Sequence, residues 1–235
     1  MSLLSIVQNA CDRIGIARPS SVIASTDQQT IRLLGYALQE GKELARKYDW
    51  QALTRETTFE STATAVQTSA GSTVVPSDFD RIKDGTFFNR TERREVFGPL
   101  SPEEWQYVQA TTTHSFVEAY RMRSDQILLT PGDTSGDTLA FEYITKKWVT
   151  QAASTATATW TADTDTTALN EELITLGVVW RFKAAQGFDY AEEFRTYEMQ
   201  CANEYMRDGG RRVLDMAGGT KPRRGVVVPE GSWSL

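Results

Sequence analysis

Apolar residues recur at helical spacing through the first fifty residues of the chain. A short amphipathic helix is predicted over 2–15, where Gly15 is the stop signal. Its apolar positions are Leu3, Leu4, Val7, Cys11 and Ile14. A second helix is predicted to follow a capping-box-like start at Ser25 and Gln28 and to end near Tyr48. Its expected buried stripe is Ile31, Leu34, Leu38, Gly41, Leu44 or Ala45, and Tyr48.

The pattern changes to an alternation of period two in the middle of the chain. Residues 115–123 and 137–149 alternate between their two faces, and a turn at Ser124-Asp125 leads from the first of them into 126–129. The residues expected on one face of the later strand are Leu139, Phe141 and Tyr143. Three or more strands with aromatic faces can form a stable small sheet, so this region predicts an antiparallel β domain.

Helical patterns return at two further places. Ser101 and Glu104 form a capping box around Pro102, which predicts a short helix. Asn170 is a good N-cap for a late helix, and residues 173–180 are apolar nearly all round. A helix without a polar face is expected to be buried.

An aromatic stripe continues beyond this late helix. Its members are Tyr190, Phe194, Tyr197, Cys201 and Tyr205. Gly187 either kinks or ends the helix before the stripe, and Gly209-Gly210 ends the stripe itself. A single helix over 171–207 would span roughly 55 Å. Such a helix is too long for a small core and would pack on other helices of its own chain or of a neighbour.

These elements predict an α+β protein in which N- and C-terminal helices form one bundle and an antiparallel β domain is inserted between them. The expected segments are the N-terminal helices at 1–50, the inserted β domain with a loop or arm at 51–168, the long C-terminal helices at 169–216, and an extended tail at 217–235.

Charge is distributed unevenly along the chain. The formal net charge is −6, so the bulk of the protein is not expected to neutralise nucleic-acid phosphates. Residues 207–224, by contrast, hold six basic and two acidic residues. A basic segment behind an acidic body is typical of an interaction tail. This tail either remains disordered or docks on a partner's sheet edge or groove.

Catalytic chemistry finds little support in the residue types. His114 is the single histidine, and Cys11 and Cys201 fall on apolar helix stripes where core positions are expected. Helix starts and a solvated face explain the acidic pairs Glu103/Glu104, Glu171/Glu172 and Glu192/Glu193. The sequence has no metal-ligand spacing, no phosphate-binding loop and no run of ~18 apolar residues. No enzyme activity, metal, cofactor or membrane partner is therefore expected.

Residues 150–168 are rich in threonine and alanine and low in complexity. One interpretation is an exposed loop or extended hairpin. The other is an arm that orders against a partner, with Trp160 as its anchor.

Several phrases of the sequence are shared with a known family. They are LLSIVQNACDRIGI, ARKYDWQALTRETTF, PSDFDRIKDGTFFNRTERR with GPLSPEEWQ, AFEYITKKWV, and EEFRTYEMQCANEYMR. With the order of elements, they make the chain resemble the head-to-tail adaptor, or connector, proteins of tailed bacteriophages, most closely those of short-tailed phages. The 150–168 stretch departs from this pattern, so its role stays open.

The resemblance implies a structural virion protein at the head–tail junction, present in the host cytoplasm during assembly. Family members form a ring, usually of twelve copies, beneath the portal protein. The ring extends the channel through which genomic DNA passes without sequence-specific binding, and it offers a platform to a tail nozzle or tail tube component. Portal contact would fall on Arg207, Arg211, Arg212, Arg223, Arg224, Val226, Val227, Val228 and Trp233. Tail-side contact would fall on the 60–73 loop and Trp160.

Two other functions stay open at the level of sequence. One is another tail or nozzle-adjacent structural protein, which would bind tail components without binding the portal. The other is a virion-associated cell-wall hydrolase, which would need two carboxylates several ångströms apart in a cleft.

Overall fold

The computed structural model describes residues 2–69, 72–110, 118–130, 135–152 and 154–209. Within them the helices are α1 (Leu3–Ile14), α2 (Gln28–Lys47), α3 (Pro102–Ala110), α4 (Glu171–Gln186) and α5 (Ala191–Gly209). The longer strands are β1 (Thr54–Glu60), β4 (Phe79–Ile82), β7 (Ala119–Arg123), β8 (Gln126–Thr130) and β9 (Thr138–Thr145). Two-residue strands are β2 (Thr68–Ser69), β3 (Ser72–Thr73), β5 (Phe88–Asn89), β6 (Arg94–Glu95), β10 (Val149–Thr150), β11 (Ala156–Thr157) and β12 (Thr166–Thr167). The α+β class is confirmed.

Helix α4 is the centre of the helical body, because α1, α2 and α5 all pack against it. Its residues Leu173, Ile174 and Val178 are almost completely buried, as the apolar run predicted. Helix α1 contributes Leu3, Ile6, Val7, Ala10 and Cys11 to the same core. The ends of α1 are set by the Ser2 hydroxyl, which accepts from the Ser5 amide, and by Gly15 at φ +82°.

Helix α2 buries a face that only partly matches the one that its apolar residues predicted. Its N-cap is Asp27, whose carboxylate accepts from the Thr30 amide. The buried residues of α2 are Thr30, Leu33, Ala37, Glu40, Gly41, Leu44 and Ala45. Ile31 is 43% exposed, so its place in the buried stripe was wrong. The buried face includes a charged residue, Glu40, which a hydrophobic pattern counts as surface.

Gly187 ends α4 rather than kinking it. Its φ of +76° lies in the left-handed region, and its amide donates to the carbonyl oxygens of Lys183 and Ala184. The chain then turns and returns as α5, so 171–209 forms a helical hairpin instead of one long rod. Of the aromatic stripe on α5, Tyr197 and Cys201 are buried.

The β domain is built around β9. This strand pairs antiparallel with β1 along one edge and with β4 and then β5 along the other. Leu139, Phe141 and Tyr143 of β9 are buried on one face, as the alternation predicted. They pack with Phe59, Phe79 and Phe87 in a core separate from that of the helices. The β7–β8 hairpin turns at Ser124 and Asp125, both at positive φ.

The short helix α3 begins with the capping box that the sequence predicted. The Ser101 hydroxyl accepts from the Glu104 amide at 3.2 Å, and the Glu104 carboxylate accepts from the Ser101 amide at 2.7 Å. Trp105 fixes the helix to the domain by burial.

The end of the predicted β insertion packs with the helices and not with the sheet. Trp148, Val149, Trp160 and Leu169 all belong to the helical core. The indole of Trp148 lies against Gly41 of α2, where an added Cβ would come within 2.1 Å of the ring. Only glycine allows this approach. The helical body is therefore assembled from three parts of the chain: its start, its later helices, and 146–169.

Candidate partner-binding surfaces

The C-terminal end of α5 is fastened where the helical body meets the β domain. Tyr205 stacks on Tyr48 with ring centroids 4.2 Å apart. The Asp208 carboxylate accepts from the Gln51 amide at 2.7 Å. On the other side of the junction, the Arg81 guanidinium of β4 donates to the Tyr48 carbonyl oxygen at 2.8 Å. The last described helix therefore ends at a fixed point on the junction.

Arg207 lies at this junction and is the predicted portal-side residue that falls within the described part of the chain. Its guanidinium pairs with Glu204 at 3.1 Å, and its side chain is 77% exposed. A cleft of about 290 Å³ opens beside it, lined by Trp50, Ala52, Ala168, Leu169, Asn170, Glu204, Arg207 and Asp208. Arg207 is thus free to contact a partner.

The other predicted portal-side residues lie outside the described residues. They are Arg211, Arg212, Arg223, Arg224, Val226, Val227, Val228 and Trp233. His114 also lies outside them.

Trp160, the predicted partner-facing anchor, is buried inside its own subunit. The side chain is 7% exposed, and its ring packs edge-to-face on Trp148 with centroids 5.1 Å apart. The surrounding segment is also tied to the helices, since the Asp163 carboxylate accepts from the amides of Val22 and Ile23. The physical reason is that a large indole gains more from the apolar core beside it than from solvent.

The predicted tail-side loop at 60–73 is organised by a glutamine. The Gln67 side chain accepts from the Thr62 amide at 2.8 Å and donates to the Thr64 carbonyl oxygen at 2.7 Å. Gln67 is buried, whereas Thr64 is exposed. The described part of this loop up to residue 69 is therefore held in shape by the Gln67 side chain, and Thr64 lies on its exposed side.

A buried charge cluster ties α2, α4 and α5 together, and the sequence pattern missed it. The Glu40 carboxylate is fully buried, accepts from Arg181 Nε at 2.9 Å, and accepts from the Tyr197 hydroxyl at 2.5 Å. Gly177 makes room for it, since a Cβ there would come within 2.2 Å of the Glu40 side chain. Burial raises the pKa of Glu40, and hydrogen bonds from Tyr197 and Arg181 offset part of that rise. The only signal of this cluster in the sequence was a glycine, Gly177, inside the apolar run of α4.

Another buried polar cluster lies in the β domain and joins two carboxylates. The Asn89 amide donates to Glu118 at 3.1 Å and to Asp137 at 2.9 Å. The Glu118 side chain is completely buried, so these groups support the packing of the strands and do not line an open cleft. This is not the arrangement that carbohydrate hydrolysis would use.

Cys11 and Cys201 are core residues, as their helix positions predicted. Both thiols are free and buried, and burial raises the pKa of each. In the described part of the chain, His, Cys, Asp and Glu side chains form no group that could hold a metal ion. None of the described helices is long and apolar enough to cross a membrane.

Exposed large apolar side chains occur on α2, α3 and α5 and also in the β domain, where Phe88 and Phe97 are examples. On α2, Ile31 is 43% exposed, and on α5, Met199 and Met206 are 56% and 68% exposed. The α4–α5 turn adds Phe188 at 62%. Exposed apolar residues that share a helix face are typical of protein–protein contacts.

The structure thus has a helical body, a separate β domain and exposed apolar side chains on both. The chain belongs to the SU10 adaptor protein family, whose model matches residues 1–224. No curated protein matches the chain. It is therefore a structural adaptor protein of a bacteriophage, and the resemblance to phage head-to-tail adaptors is confirmed. Family membership implies a place at the head–tail junction, with portal and tail components as partners.

Proposed function

We propose that the protein forms a ring beneath the portal, extends the DNA channel and presents a platform for the tail. The observation that carries this proposal is the family match over residues 1–224, which spans both the helical body and the β domain. The resemblance described above supplies the expected number of twelve copies. As a structural component, the protein is expected to have no catalytic turnover.

We further propose that the tail at 217–235, with Arg207 and the basic residues after it, contacts the portal. The described end of α5 supports this, because Tyr205 and Asp208 hold it in place and Arg207 faces solvent. A fixed point of departure limits where a short tail can reach. Genomic DNA would pass an acidic chain of net charge −6 without strong phosphate binding.

Native mass measurement tests this function. The purified protein is mixed with the cognate portal ring, and a variant lacking 217–235 is measured in parallel. The expected result is one discrete complex with a ring of adaptor copies, lost in the deletion. A deletion variant that binds as well as the intact chain would move the portal contact elsewhere. Failure of the intact protein to bind, with binding to tail components instead, would favour a tail or nozzle-adjacent role.

A further inference from the structure

A second cleft opens between helix α2 and the β domain, and three basic side chains line it. Lys42 and Arg46 line it from α2, and Lys146, the residue after β9, lines it from the β domain. Its volume is about 380 Å³, which is within the range of small-ligand sites. It shares no lining residue with the cleft beside Arg207, so it is a separate feature of the surface.

These three cations have no acidic partner among the described residues, and all three are exposed. Lys42 and Arg46 are four residues apart on one helix, so their like charges lie side by side and repel each other. The helix dipole favours a cation at Arg46, in the last turn of α2, but it explains neither Lys42 nor Lys146. The described part of the chain therefore leaves this concentration of positive charge unbalanced.

The acidic and hydroxyl groups of the cleft are already engaged. The carboxylate of Asp80, the acid that lines the cleft, accepts from the Arg81 guanidinium at 2.7 Å. The Thr145 hydroxyl donates to the Asp78 carboxylate at 2.7 Å. The other lining side chains are apolar, and they are Ala45, Trp148 and Ala158. The cleft therefore combines unpaired positive charge with apolar surface.

This combination favours the side chains of an acidic peptide. An aspartate or glutamate carboxylate suits the cations, and its methylene groups suit the apolar surface. Inorganic phosphate would leave the apolar side chains unused. A DNA duplex, whose major groove alone is about 12 Å wide, could touch only the rim of the cleft, and the net charge of −6 repels it.

We propose that this cleft binds an acidic segment of a partner protein, and that Lys42, Arg46 and Lys146 hold its carboxylates. The site is apart from the C-terminal segment and does not depend on assembly into a ring. Exposed ion pairs each contribute little and are screened by salt. Three of them acting together with the apolar surface give binding that is weak and sensitive to salt.

Fluorescence anisotropy of a labelled hexaglutamate peptide mixed with the full chain tests the site. The cleft variant carries Lys42→Gln, Arg46→Gln and Lys146→Gln, and it should bind the peptide about tenfold more weakly than the wild type does. Its melting temperature should stay unchanged, because the three side chains are exposed and make no ion pair with the described residues. Hexaglutamine with the same label should bind neither protein.

The matched control variant removes the same charge from exposed positions outside the cleft. It carries Arg32→Gln, Arg93→Gln and Arg123→Gln. Because its net charge equals that of the cleft variant, it corrects for the general repulsion between an acidic chain and an acidic peptide. The control variant should bind hexaglutamate as the wild type does.

Carbodiimide coupling, which joins a carboxylate to an amine, locates the bound peptide. Mass spectrometry of the digested wild-type complex should find hexaglutamate attached to Lys42 and Lys146. It should not find the peptide on Lys83 or Lys183, because each of these already pairs with a glutamate of its own chain.

The outcomes decide the proposal without deciding the proposed function. Equal weakening in the cleft and control variants, attachment of the peptide elsewhere, or no binding of hexaglutamate to the wild type would each overturn it. A short DNA duplex is the competing probe. If the duplex binds more tightly than hexaglutamate and is lost in the cleft variant, the cleft recognises phosphate and the proposal is wrong. Ring formation on the portal is measured separately, so the ring stands or falls on its own.

Discussion

At the scale of single residues, the helical body depends on one buried acid. Glu40 contacts Arg181 of α4 and Tyr197 of α5, so its carboxylate serves three helices at once. Burial and then the nearby Glu40 charge raise the pKa of the Tyr197 hydroxyl, which keeps it protonated as a hydrogen-bond donor. A buried ion pair adds little net stability, but removing one partner leaves the other charge without compensation.

Glu40→Ala should therefore be strongly destabilising, by about 3–5 kcal/mol, because it removes the buried acceptor of both Arg181 and Tyr197 and leaves a cavity between the helices. Glu43→Ala is the matched control, since Glu43 also pairs with Arg181 but its side chain is 53% exposed. The control should cost less than about 1 kcal/mol. Urea unfolding followed by circular dichroism measures both. Equal losses in the two variants would contradict a special role for the buried carboxylate.

At the scale of elements, the helices are set by their caps and by what each face meets. Caps are local, which is why the starts of α1, α3 and α4 follow from Ser2, Ser101 and Asn170 in the sequence. Helix α2 differs, since its cap is Asp27 and its buried face includes Glu40.

The cap of α2 predicts a pH dependence. Hydrogen bonds from the Thr30 amide and then the Thr30 hydroxyl lower the pKa of Asp27. A carboxyl whose pKa is lower in the folded state stabilises the protein above its unfolded pKa and loses that contribution as pH falls through the folded value. Asp27→Asn retains a capping oxygen but loses the charge, so it should be modestly less stable than the wild type at neutral pH.

The difference between wild type and Asp27→Asn should therefore shrink from about pH 4 downward. Thermal unfolding at a series of pH values measures it. The control is Asp84→Asn in the turn before β5, because it removes a carboxylate that caps no helix. A constant difference between wild type and Asp27→Asn at every pH would show that the cap does not titrate in this range.

At the scale of the whole molecule, two cores are joined by a polar junction. Arg81 of β4 holds the end of α2 through the Tyr48 carbonyl oxygen and the Asp49 carboxylate. The segment 146–169 leaves the sheet and completes the helical core through Trp148 and Trp160. The helical body therefore depends on residues that belong to none of its helices.

Trp160→Ala should destabilise the helical body by about 3–5 kcal/mol, because it removes a buried indole from a closed core. Phe188→Ala, at a ring that is 62% exposed, should cost less than about 0.5 kcal/mol. Calorimetry of the free protein measures both. If Trp160→Ala left the melting temperature unchanged and weakened only the binding of a tail component, the Trp160 indole would be a partner contact after all.

The sequence by itself determined the elements with strong local causes. Gly15, the capping box at Ser101 and the alternation of β9 each act within a few residues, so the pattern alone predicts α1, α3 and the face of the sheet. The family phrases, spread over the chain, led to the phage adaptor class, which the family match confirmed.

Only the tertiary structure decided which apolar residues are covered. Burial depends on which residues the fold brings together, so Trp160 is core because Trp148 lies beside it, whereas Ile31, with the same apolar character, is 43% exposed. The same holds for Glu40, whose burial depends on Arg181, Tyr197 and Gly177. Hydrophobicity identifies apolar surface, but three-dimensional packing selects the part that stays uncovered and can bind another subunit.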